Sequence, residues 1–220
     1  MTAKNNKKAL GGLISEASLE LHSAASLDVW NGSHRNGRRI ASMPEFFHKM
    51  SVLEVAAVEN DPYADYALIN IENALNDAFV AIEMLEGGLP IQQGHRRLNT
   101  QVCRSRQPVV KPLYIKSRFG WRFIALFELF DVFMVDLMDA QFKARVTRQQ
   151  FEASKKTAFT VVRKVLEIGM SSVHSGISRN DVSANNAKAT QAIEKFGLIP
   201  LEVMEGIVRA EYAPQIKQRA

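Results

Sequence analysis

Apolar residues return at steps of three and four over long stretches of this chain, so helices dominate the expected fold. The clearest case is Leu68, Ile71, Leu75, Ala78, Ile82 and Leu85, the core stripe of one amphipathic helix. Asp61 stands at its cap, Pro62 at its first helical position, and Gly87-Gly88 end it. An earlier helix opens at a capping box, Ser42 with Glu45 three residues on and Pro44 in the first turn. It runs to about Asn60, so the two helices meet with almost no linker and form an antiparallel hairpin. A second capping box, Thr147 with Gln150, opens a helix with Phe151, Ala158, Val161, Val162 and Val165 on one side. Its other side carries Lys155, Lys156, Arg163 and Lys164. Gly169 to Gly176 reads as a loop. Ser178 or Asp181 caps a helix through Val182, Ala189, Ile193 and Phe196, closed by Gly197, and Pro200 starts a short last helix to about Gly206.

Other segments follow a different period. Ile14 to His22 alternates, with Leu19 and Leu21 against Glu20 and His22, and predicts a strand. Asn31 to Arg39 is a turn-rich loop. Asn99 to Phe119 is rich in Val, Tyr, Ile and Thr but broken by Pro108 and Pro112, which predicts one or two short edge strands. In the second, Leu113 and Ile115 share one face, and Tyr114, Lys116 and Arg118 the other. Trp121 to Phe142 then reads as a helix apolar on most sides, which its own domain or a second subunit must wrap. Arg122, Glu128, Asp131 and Asp136 within it argue against a membrane span. The expected fold class is mostly α with a small β element (α+β). Residues 1–12 are expected to form a flexible basic arm, 13–206 a single domain, and 207–220 a loosely held tail.

Charge sharpens this picture. Between Gly87 and Phe127 lie 41 residues with no Asp or Glu. They hold eight of the chain's 28 Lys and Arg: Arg96, Arg97, Arg104, Arg106, Lys111, Lys116, Arg118 and Arg122. The other 20 face all 23 acids, so the whole positive excess of +5 sits in one segment. A one-signed block of this kind is the electrostatic footprint of a polyanion site, most often nucleic acid.

Catalytic chemistry is not legible. His22, His34, His48, His95 and His174 are scattered, with no ligand spacing for a metal. No phosphate-binding glycine loop is present, and no cofactor is expected. Cys103 lies among basic residues that could lower its pKa, but no catalytic partner stands near it in the sequence. A single cysteine fits a reducing cytoplasm. Asp131, Asp136 and Asp139 read as salt-bridge partners or an exposed edge. The chain is not expected to be an enzyme.

A short basic strand followed by two helices is the order of the ribbon–helix–helix fold, in which strands of two subunits pair and enter the major groove. Here the strand would be Val110 to Arg118 and the helices Trp121 to Phe142 and Arg148 to Ile168, within a region spanning 95–170. Residues 13–88 would hold the first strand and helical hairpin, and 178–206 the C-terminal helices. Tyr114, Lys116 and Arg118 would face the groove, and the next helix would point its N-terminus at phosphate. The remaining cations of the block, Arg96, Arg97, Arg104, Arg106, Lys111 and Arg122, complete the expected DNA-binding set. The apolar helix would belong to an intertwined homodimer.

Four segments resemble a known family: SLELHSAASLDVWNG, NDPYADYALINIENAL, QPVVKPLYIKSRFGWRFIAL and SRNDVSANNAKATQAIEKFGLIP. The D-P-Y-A-D motif (Asp61 to Asp65) and the R-x-D-V-x-A-N-N motif (Arg179 to Asn186) together resemble the AcaB family of transcriptional regulators, carried by conjugative plasmids and integrating conjugative elements. The resemblance implies a DNA-binding activator of transfer genes, bacterial and cytoplasmic, associated with the nucleoid, with RNA polymerase as a further partner. Both motifs also have a plain reading as helix caps and a tight helix–helix joint. Two other functions remain open on the residues. Tyr114, Phe119, Trp121 and Phe123 among basic residues suit a stacking platform for single-stranded nucleic acid in element processing. A protein adaptor whose basic segment docks an acidic partner is the other.

Overall fold

The computed structural model describes residues 17–35, 37–90 and 100–217. The elements, in order, are β1 (Ala17–Leu21), α1 (Ala24–Asn31), β2 (Ser33–Arg35), β3 (Arg38–Ile40), α2 (Met43–Val58) and α3 (Pro62–Gly87). They continue with β4 (Val109–Leu113), α4 (Arg118–Phe142), α5 (Arg148–Ser171), α6 (Arg179–Ser183), α7 (Ala187–Phe196) and α8 (Leu201–Met204). The protein is mostly helical with two small antiparallel sheets, β1 with β4 and β2 with β3.

Each long helix begins where its cap stands. Ser42 and Glu45 close a capping box on α2, and Thr147 and Gln150 close one on α5. Asp61 accepts from the backbone N–H of Tyr63 and Ala64 at the start of α3. The apolar helix α4 lies at the centre, packed by α1, α2, α3 and α5 of its own chain. Phe119, Phe123, Phe127, Phe130 and Phe133 are fully buried along it. Its apolarity is therefore met inside the protomer, and an intertwined dimer is not needed to account for it. Close approach helps: a Cβ at Gly169 of α5 would collide with the Phe46 ring of α2.

Four other expectations change. An eight-residue helix, α1, precedes the β2–β3 pair; Ser23 caps it, and its junction with β1 is held by Asp131 of α4, which accepts from the backbone N–H of His22 and Ser23. The stretch read as a loop over Asn31 to Arg39 contains β2 and β3. The helix expected from Ser178 to Phe196 is two, α6 and α7, parted at Asn185, whose φ is 46°. The segment after Ile207 is fastened to α3. Arg209 grips Asp65 in bidentate fashion at 2.9 and 2.8 Å, Ala210 is buried, and the Lys217 N–H donates to the Val58 carbonyl. The expected arm over 1–12 lies outside the described residues.

Candidate nucleic-acid interface

The basic segment approaches α4 along β4. Register pairs Ala17 with Leu113, Leu19 with Lys111 and Leu21 with Val109 on alternate rungs. The exposed rungs, Ser18 with Pro112 and Glu20 with Val110, carry no cation and one acid. β4 therefore spends an edge on β1 of the same chain, where the expected ribbon would pair strands of two chains. The strand ends at Leu113, so Tyr114 and Lys116 follow it and Arg118 is the first residue of α4. Alternation survives the end of pairing. Leu113 is buried and Ile115 half-buried, whereas Tyr114 is 86 % exposed and Lys116 and Arg118 are exposed. Beneath Tyr114 and Lys116 lies a groove of about 350 Å³ lined by Trp30, Pro44, Phe47, His48, Ser51 and Pro112.

The N-terminus of α4 is not open to phosphate. Ser117 caps it, accepting from the Gly120 N–H, and donates its hydroxyl to Glu54 at 2.7 Å. The same Glu54 oxygen accepts from the Phe119 N–H at 3.1 Å. A carboxylate already sits where an anion would bind. Contact with a polyanion must come from side chains.

The expected cations divide into three groups. Arg104, Arg106, Lys116 and Arg118 are exposed, and none makes an ion pair with a described residue. Lys111 and Arg122 are engaged internally. The Lys111 ammonium stands 5.7 Å over the Trp30 ring. Arg122 bonds Glu72 and Asn76 and stacks on Tyr212 at 4.6 Å. Arg96 and Arg97 lie outside the described residues. Cys103 is exposed, but the Asp139 carboxylate pushes its thiol up, not down, so the activated nucleophile considered from its basic neighbours is not formed.

The D-P-Y-A-D and R-x-D-V-x-A-N-N motifs meet in space. Asp61 accepts from the Ser175 N–H, the Ser175 hydroxyl and the Gly176 N–H as well as capping α3. The Tyr63 hydroxyl donates to the Gly197 carbonyl. Asp65 is fully buried and pairs at 2.8 Å with Arg179, which also donates to Asn60, Val203 and Met204. Asp181 closes a capping box with Ser178 and takes the Asn186 amide, and Asn186 caps α7. These residues form a joint between α3 and the C-terminal helices, with no polyanion face. Sequence reasoning did not find Arg209 as the second guanidinium on Asp65. Its partner is 144 residues away in the chain, and no periodicity links them.

A family model described as transcriptional regulator AcaB matches residues 9–217, nearly the whole chain. The chain belongs to the AcaB family. It is accordingly a member of a family of transcriptional regulators. No curated protein and no solved structure matches it. Among the described residues, no helix is long and apolar enough to cross a membrane.

Proposed function

We propose that this AcaB-family protein binds duplex DNA sequence-specifically through the segment between Arg104 and Arg118 and activates conjugative transfer genes. The observation that carries the reading is the set of exposed side chains Arg104, Arg106, Lys116 and Arg118, without an ion pair among the described residues and with Tyr114 projecting among them, in a stretch without acids. Lys116 and Arg118 are the base readers in this account, since Arg bonds guanine in bidentate fashion and Lys singly. Arg104 and Arg106, and Arg96 and Arg97 in the same block, act on phosphate. Two copies act together on an approximately palindromic site, with RNA polymerase as the further partner of an activator.

Footprinting and affinity measurements across a salt series, on DNA from the protein's own element, test this. Lys116→Ala or Arg118→Ala is expected to cost roughly 1–3 kcal/mol on the preferred site and to relax specificity at one position. Arg104→Ala or Arg106→Ala is expected to weaken all sequences alike, with a shallower salt slope. Wild-type affinity in folded Lys116→Ala and Arg118→Ala variants would remove the base-reading assignment. Tighter binding to the single strands than to their duplex would replace duplex recognition by a stacking platform.

A further inference from the structure

Two ring-bearing walls face each other across the groove beneath Tyr114 and Lys116. On α2, Pro44 and His48 stand one turn apart, both exposed, with Phe47 beside them. Opposite run Pro112, near the end of β4, and Tyr114 and Lys116 after it. Trp30, from the last turn of α1, joins them around a space of about 350 Å³. Pockets for small ligands begin at about 300 Å³.

The floor of this groove is fixed by the core and its rim is not. Trp30 and Phe47 meet edge to face, centroids 6.2 Å apart, and each is only 7 % exposed. Tyr114, at the rim, keeps its ring in solvent, so nothing in the fold consumes its stacking surface. No acid lines the groove. Glu45 and Glu54, the acids of α2 on either side of it in sequence, are engaged elsewhere, the first by Ser42 and Arg39, the second by Ser117 and the Phe119 N–H. Lys116 makes no ion pair with a described residue. A lysine ammonium only donates, so a fitting occupant is flat and apolar on its faces and carries acceptors on its edge. A nucleobase has this form: it stacks on aromatic rings through its faces and bonds through its edge. The groove opens within the acid-free segment, which attracts the phosphates that would bring a base to it.

We infer that the groove seats one base of the bound DNA, turned out of its stack, between Tyr114 and the Trp30–Phe47 floor, with Lys116 bonding the acceptor edge of that base. Guanine fits best, since its O6 and N7 both accept, whereas adenine sets an N6 donor beside its N7. The inference rests on the DNA binding proposed above and adds how Lys116 reaches its base.

Mononucleotides test the subsite without DNA. In titration calorimetry of the full chain at low salt, deoxyguanosine monophosphate is expected to bind saturably and deoxyadenosine monophosphate about tenfold more weakly. Deoxyribose phosphate, which lacks a base, should not bind saturably. Tyr114→Ala should lower the affinity for deoxyguanosine monophosphate about tenfold, and Tyr114→Phe should keep it, because the ring and not the hydroxyl stacks. His48→Trp fills the groove from an exposed position and should abolish this binding with circular dichroism unchanged. On DNA, a mismatch at one guanine of the preferred site should tighten binding, since an unpaired base leaves its stack more cheaply. That gain should vanish in His48→Trp. No saturable mononucleotide binding, or an affinity that Tyr114→Ala and His48→Trp both leave unchanged, would overturn the inference. So would mononucleotide binding with no mismatch effect at any guanine, which would make this a site for free nucleotides. Absence of any DNA binding would remove the proposed function and this inference together, whereas DNA binding indifferent to every mismatch would remove this inference alone.

Discussion

Asp65 is fully buried, yet it faces two guanidinium groups, Arg179 and Arg209, each at 2.8 Å. Arg179 is itself buried and keeps three other acceptors, so losing the carboxylate strands its charge only in part. Asp65→Asn preserves shape and is expected to cost stability near the lower end of the roughly 3–5 kcal/mol for breaking a buried pair, read from urea denaturation. A loss within about 0.5 kcal/mol would place this joint among energetically neutral surface contacts. Asp139 makes a second buried cluster, with Lys143, Arg145 and the Cys103 N–H. Burial pushes its carboxyl up, but hydrogen bonds from Lys143 and Cys103 outweigh that and hold it at about 2, below its ordinary 3.8. A depressed carboxyl stabilises the fold above the unfolded value and stops doing so as pH falls through the folded one. Stability should therefore drop between about pH 4 and pH 2, with Asp139 contributing about 2 kcal/mol of the fall. Asp139→Asn should flatten that part of a pH series of urea midpoints. Some slope should remain from Asp181, likewise held at about 2 by its hydrogen bonds with Ser178 and Asn186. At this scale the caps were readable, because a cap and its helix are neighbours in sequence. The ion pairs of Asp65 were not, because their partners come from the far end of the chain.

Among the elements, the long helices follow their periodicity and caps to within a few residues, while the short ones depend on contacts that sequence order hides. The eight residues of α1 carry too few turns for a stripe, and its junction with β1 is completed by Asp131, more than 100 positions later. β2 and β3 flank a Gly37 with φ of 74°, and the Asn36-Gly37 pair in the sequence was a usable hairpin signal. In the candidate interface, the outward set Tyr114, Lys116 and Arg118 was legible as alternation, whereas the partner of β4 was not, since period two fixes faces and not neighbours. The contact of α5 with α2 yields its own prediction. An alanine at Gly169 gains helix propensity of up to about 1 kcal/mol, but its methyl meets the ring of Phe46. That ring is fully buried against Phe123, centroids 4.5 Å apart, and cannot swing away. Overpacking should win, with Gly169→Ala destabilised by roughly 1–3 kcal/mol in thermal denaturation. Gly87→Ala, at an open position, is the comparison and should be neutral or better.

For the whole molecule, the distribution of charge and the proposed two-copy binding meet in one measurable spacing. Outside the segment from Gly87 to Phe127 the acids outnumber the Lys and Arg, so the rest of the surface repels DNA weakly while that segment attracts it. Two copies related by a two-fold axis present their basic segments in opposite directions along the DNA. One turn of duplex measures about 34–36 Å, the separation at which two copies read successive turns on the same face of the DNA. The footprint on the preferred site should then be an inverted repeat whose half-sites lie about one helical turn centre to centre. Inserting about five base pairs between the half-sites puts them on opposite faces and should abolish the two-copy complex, while about ten should restore part of it. DNA that carries one half-site alone should be bound by one copy with reduced affinity. The salt slope of that complex should be about half that of the two-copy complex, because half as many phosphates are neutralised. A single asymmetric footprint, indifferent to half-site spacing, would mean that one protomer carries the whole interaction.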